Sequence, residues 1–578
     1  MIKEYQISNF KPFAGAATIP IRPITLIFGA NSSGKSSILQ SLLMLKQTIE
    51  NNQDRNTVLL AKGSLVDLGS FREFIHGHDI NKSFSFKMTF SSPDDLWEAD
   101  EEILDVDIDK DKDIKLLERS IHNDLISLKI SFHVNTDIVV EQIDFYIGPE
   151  SKPIITYEIG EKNKDGSFSY KFKGNFDHPY WQSYWKLFDE GNRKNIEILI
   201  DYEMTVGSIL RKFEKLPPKE KTYVETLLHK LGILPNDAAN NVDKNLEVIN
   251  QREAVTVGKE SPKENTDKDS HENAKSDDEI QGFNFERAIE SYRNMYEQRI
   301  LKLEKMLPSH ASDNTLKYIA SGFSNQWEDY RDVSLIMLTL SNMIKRFLKR
   351  IVYLAPLRDY PERYYIYGGN PVQNVGASGR MVPDILFSDH EALTKVNEAI
   401  MRFTGKDYIL KVSKLSDEQF VTSEIFTLQM VDMKTGVSAN IRDTGFGFSQ
   451  VLPIIVQTMM SREKTLLIEQ PELHLHPALQ AELGDLFINA ALGEQKNTFI
   501  IETHSEHLIL RLLRRIRETS EGSLPQGCTP ITPDQISVLY VQPGKDGAQI
   551  TNLSVTDGGD FECKWPDGFF TEREKELF

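Results

Sequence analysis

The sequence predicts an α/β fold: a mixed, largely parallel sheet, an antiparallel β subdomain, and an inserted helical arm carrying a disordered loop. Three observations lead there. Short apolar runs of strand length, some joined to helical patterns, stand near both ends of the chain. Strand-like runs follow one another closely between residues 84 and 172. From about residue 206 to 350 the texture is helical and includes a long stretch without an aromatic residue.

The elements can be justified in order. Ile2 to Ile7 alternates like a strand, Ala17 to Ile21 can pair with it, and Ile24 to Phe28 is an apolar run suited to a buried parallel strand. Pro12 and Pro23 mark the turns between them. From Ser36 to about Glu50 the pattern is helical, with Ile38, Leu39, Leu42, Leu43 and Leu45 on the apolar side. The runs Phe84–Phe90, Ile126–Val134, Val139–Ile147, Ile154–Ile159 and Phe168–Phe172 suggest an antiparallel subdomain beside the first sheet. Helices follow after Asp201, including Val224–Leu231. Residues 236–281 are expected to be a disordered tether, because Pro262 to Glu279 has no aliphatic residue larger than alanine to offset its ordering entropy. Phe285–Leu307 and Trp327–Arg350 can then pair as an antiparallel arm. The expected division is therefore 1–205, 206–350 and 351–578, with no internal repeat.

Composition limits the function. Of 578 residues, 40% are hydrophobic and 26% charged, which fits a packed core. A net charge of −19 argues against a wholly nucleic-acid-binding surface. Lys345, Arg346, Lys349 and Arg350, or Arg511, Arg514, Arg515 and Arg517, remain open either as a local basic groove or as ordinary solvated helix faces. Cys528 and Cys563 cannot build a disulfide framework or a multi-cysteine zinc site. The apolar stretch Val333–Ile344 is broken by Thr339, Ser341 and Asn342, and MIKEYQISNF lacks a signal-peptide core. No membrane partner is expected, and the expected location is a reducing cytoplasm.

Gly29-Ala-Asn-Ser-Ser-Gly34-Lys35-Ser36 satisfies G-x-x-x-x-G-K-[ST], with a buried strand before it and an amphipathic helix after it. Glycines let the main chain wrap a phosphate, and the helix N-terminus supplies positive potential. Lys35 is expected to reach the terminal phosphates and Ser36 to hold Mg²⁺. The candidate nucleotide-binding residues are Gly29, Asn31, Ser33, Gly34, Lys35, Ser36 and Ser37, and the expected cofactors are ATP and Mg²⁺.

Toward the other end, Thr465–Ile468 is a short apolar strand ending in Glu469-Gln470-Pro471-Glu472. Glu469 is the candidate second Mg²⁺ contact. Phe499–Ile501 is another such strand, ending at Glu502-Thr503-His504-Ser505, where His504 is placed for the terminal phosphate or the attacking water. Thr444-Gly-Phe-Gly-Phe-Ser449-Gln450 opens a further helical run, giving a second glycine-rich turn suited to an anion.

The order of these motifs resembles the head of ATP-binding-cassette ATPases of the SMC, RecF and OLD-like type. Gly29–Ser36 resembles the Walker A loop, Gly445, Gly447 and Ser449 the signature, Glu469 the Walker B acid and His504 the switch histidine. His474–Pro477 lies where the dimer loop falls. Asn9-Phe10-Lys11 resembles a segment whose basic residue, here Lys11, approaches the nucleotide. The phrases Glu469–Pro477, Glu502–His507 and Trp565–Phe570 more closely resemble bacterial AAA-type ATPases of phage-defence systems, of Septu or retron-associated kind. That resemblance implies two heads sandwiching ATP, each completing the other's site, and a nuclease or toxin effector controlled in trans. DNA or RNA is a further partner it implies. The length of the stretch after His504 leads to the expectation that the extra carboxylate-rich domain of an OLD-type nuclease is not part of this chain.

The sequence departs from the wider pattern at Gln470, where cassette ATPases carry a glutamate. An amide orients water but cannot take its proton, so slow hydrolysis is expected unless Glu472 or His504 assists. Glu469, Gln470, Glu472 and His504 are thus the catalytic candidates, and no Q-loop glutamine can be placed. His474 and His476 beside Glu469 and Glu472 are poorly spaced for a transition-metal site. Arg358 and Arg363 suit either a phosphate or stacking on nearby tyrosines in solvent. The main alternatives are an ATPase that clamps DNA itself during repair or chromosome maintenance, and a nucleotide-locked scaffold.

Overall fold

The computed structural model describes residues 2–51, 58–91, 125–134, 138–148, 152–162, 168–174, 341, 343–369, 372–405, 408–415 and 424–565. The chain divides into two compact units. One comprises Met1–Asp100, Asn123–Gly174 and Leu338–Phe578, and the other Glu101–His122 and Asn175–Met337. Every described residue belongs to the first unit. The expected helix Val224–Leu231, the loop 236–281 and the run Phe285–Leu307 lie outside the described residues, as does most of Trp327–Arg350.

Three strands open the chain: β1 (Ile2–Ser8), β2 (Ala17–Pro20) and β3 (Ile24–Gly29). Helix α1 (Lys35–Glu50) follows, then the short α2 (Phe71–Phe74). Strands β4 (Phe84–Phe90), β5 (Ile126–Val134), β6 (Ile138–Ile147), β7 (Ile155–Lys162) and β8 (Phe168–Gly174) come next. With β1 and β2 they form one seven-stranded sheet, ordered β2-β1-β4-β5-β6-β7-β8, and every pairing in it is antiparallel. β1 pairs with β2 as the sequence expects; both belong to the antiparallel sheet, and of the first three strands only β3 enters the other. The cause is visible in the side chains. β2 alternates between buried and half-buried positions, and β1 does so from Glu4 onward, as a one-sided sheet requires, whereas all six residues of β3 are buried. Phe10, Phe74, Phe84, Phe86 and Phe132 pack edge-to-face, tilted or stacked on one another beside this sheet.

The chain returns through β9 (Ile351–Leu354) and β10 (Tyr365–Ile366), then α3 (Val382–Ser388) and α4 (His390–Thr404). Strands β11 (Tyr408–Lys414), β12 (Ile425–Asp432) and β13 (Ser438–Asn440) make a small antiparallel sheet with β10. Then come α5 (Phe446–Met460), β14 (Thr465–Glu469), α6 (Pro477–Leu492), β15 (Thr498–Glu502) and α7 (Glu506–Ser520). Strands β16 (Ile536–Gln542) and β17 (Gln549–Asn552) follow. The central sheet runs β17-β16-β3-β15-β14-β9, and only the β16–β17 pair is antiparallel. A continuous core joins this sheet to α3–α7, including Leu26, Phe28, Ile468, Phe487, Phe499, Ile501 and Leu512. No helix among the described residues is long and apolar enough to cross a membrane, and both cysteines are free thiols.

Candidate functional site

The carboxyl ends of β3, β15, β14 and β9 lie side by side, which is where parallel α/β sheets offer ligands a crevice. The turn after β3 is glycine-dependent. Gly29 and Gly34 have φ of 147° and 110°. A Cβ on the first would strike the Val541 carbonyl, and one on the second the Pro12 ring. Lys35 folds back so that its Nζ donates to the carbonyls of Gly29 at 3.1 Å and Ala30 at 2.9 Å, and it stands 3.9 Å from the Glu502 carboxylate. Burial lowers its pKa, while Glu502 and Glu472 act in the opposite sense. Asn31 is exposed, Ser37 is buried, and the buried Ser33 hydroxyl has no hydrogen-bond partner among the described residues. Lys11 sits against this turn: its Nζ donates to Gln40 of α1 at 2.5 Å, and the neighbouring Pro12 covers Gly34.

Strand register brings two acids together. Glu469 is opposite Glu502, and Tyr353 lies two residue pairs back along the same face, opposite Leu467. The Tyr353 hydroxyl donates to Glu469 Oε1 at 2.9 Å. Burial, and next the charge of Glu502, push Glu469 up to about 7. Burial also raises Glu502, against a hydrogen bond from Ser36 and the charge of Lys35. The second oxygen of Glu502 is buried and has no partner among the described residues. Glu502 therefore meets both Lys35 and Ser36, the two residues assigned from sequence to phosphate and Mg²⁺.

The other candidates on these strand ends have defined places. Gln470 is held at φ 44°, its main-chain N–H donating to the Glu502 carbonyl at 2.7 Å. Glu472 accepts from the Thr503 hydroxyl at 2.8 Å and from the His504 main-chain N–H at 2.7 Å, so both its oxygens fasten the end of β15. His504 is lowered by burial and then by Lys35, which favours the neutral ring near pH 7.

Gly445, at φ 98°, precedes α5, and Gly447, Ser449 and Gln450 fall inside the helix rather than in a turn before it. A Cβ on Gly447 would meet the His474 carbonyl at 2.5 Å, so the helix start packs on the loop after β14. Ser449 is only 3% exposed. Gln450 accepts from the Arg358 N–H at 3.3 Å and donates to its carbonyl at 3.1 Å, while Arg358 Nη2 donates to the Glu469 carbonyl at 2.9 Å. These bonds tie the glycine segment to the acid strand.

Several open readings close here. Arg358 is buried, not solvated, whereas Arg363 is exposed and paired with Asp443 at 3.0 Å. Arg511 and Arg515 are drawn into ion pairs with Asp485, Glu482 and Glu518, and Arg514 pairs with Glu518, so that cluster is largely neutralised. Among the described residues no three His, Cys, Asp or Glu side chains form a metal cluster. Sequence reasoning left Glu502, Tyr353 and Gln450 without a role. Glu502 was within reach, because it also ends a buried parallel strand with a carboxylate. Tyr353 carried no signal, since only strand order makes it a neighbour of Glu469.

No curated protein matches the chain. Among solved structures, an Smc head domain with an extended coiled coil from Pyrococcus furiosus, bound to the C-terminal domain of ScpA, aligns at 11% identity. That alignment covers 96% of each chain at a TM-score of 0.33. An Smc head with coiled coil and joint from Pyrococcus yayanosii gives 12% identity, 96% and 97% coverage, and 0.34. The SMC head of Thermotoga maritima gives 9% identity, 96% and 99% coverage, and 0.32. The family model for the AAA ATPase domain matches residues 1–509, and with the glycine turn, lysine and strand-end acids assembled on one sheet edge, the chain belongs to that family.

Proposed function

We propose that the chain is an ATP-driven switch that binds ATP and Mg²⁺ at the Gly29–Ser37 turn and hydrolyses ATP slowly. The observation carrying this reading is the meeting of Lys35 and Ser36 with Glu502, whose register neighbour is Glu469. Two buried carboxyls with raised pKa values and one oxygen without a partner suit a divalent cation. Ser36, Glu469 and Glu502 would hold Mg²⁺. Bound there, the ion would neutralise charge on the terminal phosphates. Lys35 would exchange two neutral carbonyls for phosphate oxygens, a stronger charge-assisted pairing.

Hydrolysis rests on this chain's own groups. Gln470 orients water without accepting its proton, and neutral His504 is available to receive a hydrogen bond. Glu472, with both oxygens engaged, acts by fixing His504. Two copies joined through the Gly445–Ser449 segment and control of a nuclease or toxin effector in cytoplasmic phage defence complete the reading. The phrases Glu469–Pro477 and Glu502–His507 support that last part. Calorimetry of ATP with Mg²⁺ tests the core: Lys35→Ala should lose at least about 100-fold in affinity with its circular dichroism unchanged. Equal affinity in the variant would end the assignment. Light scattering should show ATP-dependent pairing in the native chain only.

A further inference from the structure

Arg358 lies just beyond β9, the strand next to the acid strand, and is only 5% exposed. One of its nitrogens, Nη2, donates to the Glu469 carbonyl at 2.9 Å. Its Nε and Nη1 are buried and have no hydrogen-bond partner among the described residues. A guanidinium cannot shed its charge near neutral pH, and buried donors left unpaired are costly. The other buried arginine among the described residues, Arg515, shows how the cost is ordinarily met: Asp485 and Glu518 take up its nitrogens. No described carboxylate does this for Arg358.

Its placement is fixed from two sides. Gln450 holds both the N–H and the carbonyl of residue 358, while Glu469 holds the tip. Glu472 acts electrostatically on both Arg358 and Lys35, so the two cations share one neighbourhood at the strand ends. An anion with several oxygens arriving at Lys35 is the chemistry that would satisfy the remaining donors.

We propose that Arg358 reads the terminal phosphate of ATP: its free N–H groups donate to that phosphate, and Gln450 passes the contact to the start of α5. This rests on the nucleotide assignment above and adds discrimination of ATP from ADP within one chain. The test is calorimetry on the full chain with a non-hydrolysable ATP analogue and with ADP, both with Mg²⁺. Arg358→Met should weaken the ATP analogue about 10- to 100-fold and leave ADP within about twofold. Arg358→Lys, which keeps the charge but not the fork, should recover part of the loss. Equal losses for both nucleotides would reduce Arg358 to a structural role, and unchanged affinities would remove it from the site; either overturns the proposal. If Arg358→Met does not fold, Arg358→Lys must show a smaller loss that is likewise confined to the ATP analogue, and its absence is decisive. Failure of the native chain to bind either nucleotide would instead indict the nucleotide assignment. Amide exchange at residues 445–450 should slow with the ATP analogue in the native chain and clearly less in Arg358→Lys; equal slowing in both sinks the link through Gln450.

Discussion

Tyr353 donates its phenolic hydrogen to Glu469 across two adjacent parallel strands, at 2.9 Å. This bond favours the charged carboxylate in a place where burial and Glu502 oppose it. Tyr353→Phe should therefore raise Glu469 further and shift Mg²⁺-dependent nucleotide binding to higher pH. The stability loss should be about 1–2 kcal/mol, read from urea unfolding at fixed pH. An unchanged pH profile would show that Glu469 does not govern metal binding.

The raised pKa of Glu469 also sets a stability window. Its folded value of about 7 exceeds the ordinary 4.5, so the fold prefers the protonated acid. Its contribution is fully present below about pH 4.5 and is lost as pH rises through about 7. Metal-free protein should lose on the order of 2 kcal/mol across that interval from this group. Glu469→Gln should flatten the profile of thermal melts, and added Mg²⁺ should restore the native chain at the alkaline end.

Gln470 stands one residue past the acid, its main chain held at φ 44° by the Glu502 carbonyl. Gln470→Glu should accelerate ATP hydrolysis, by as much as about 10²- to 10⁴-fold if the side chain faces the attacking water. Steady-state phosphate release measures it. No acceleration, with native turnover depending on Glu472, would displace the water from position 470.

Gly447 has no room for a side chain beneath the His474 carbonyl. Gly447→Ala should cost about 1–3 kcal/mol through forced displacement of the loop after β14. Gly445→Ala meets nothing in space and should lose less, from its φ of 98° alone. Denaturant midpoints of the two variants should keep that order.

Most strands were legible because their periodicity is strong: β4 and β5 begin and end at the expected residues. The Lys35 turn was legible because its chemistry demands particular residues at fixed spacing. Helix α4 was overlooked, although Ala392, Val396, Ala399, Ile400 and Phe403 recur at helical spacing behind the cap Asp389. Charged residues between them dilute the pattern. What the sequence could not show depends on strand order. Arg358 reads equally as a phosphate contact or as a solvated arginine among tyrosines until β9 is laid beside β14, and Glu502 reads as a letter in a phrase until Ser36 stands next to it.

Strand β3, made near the beginning of the chain, is flanked on both sides by β15 and β16, made near its end. On the ribosome, a strand whose six residues all end up buried must therefore wait with both edges bare while some four hundred and seventy residues emerge. Loop closure over such a distance is slow, and unpaired edges invite association with other chains. Nascent chains stalled before β15 should depend on a chaperone holding that strand. Any change that slows the pairing of β15 with β3 would then be felt as lost yield, even where the finished protein is fully stable.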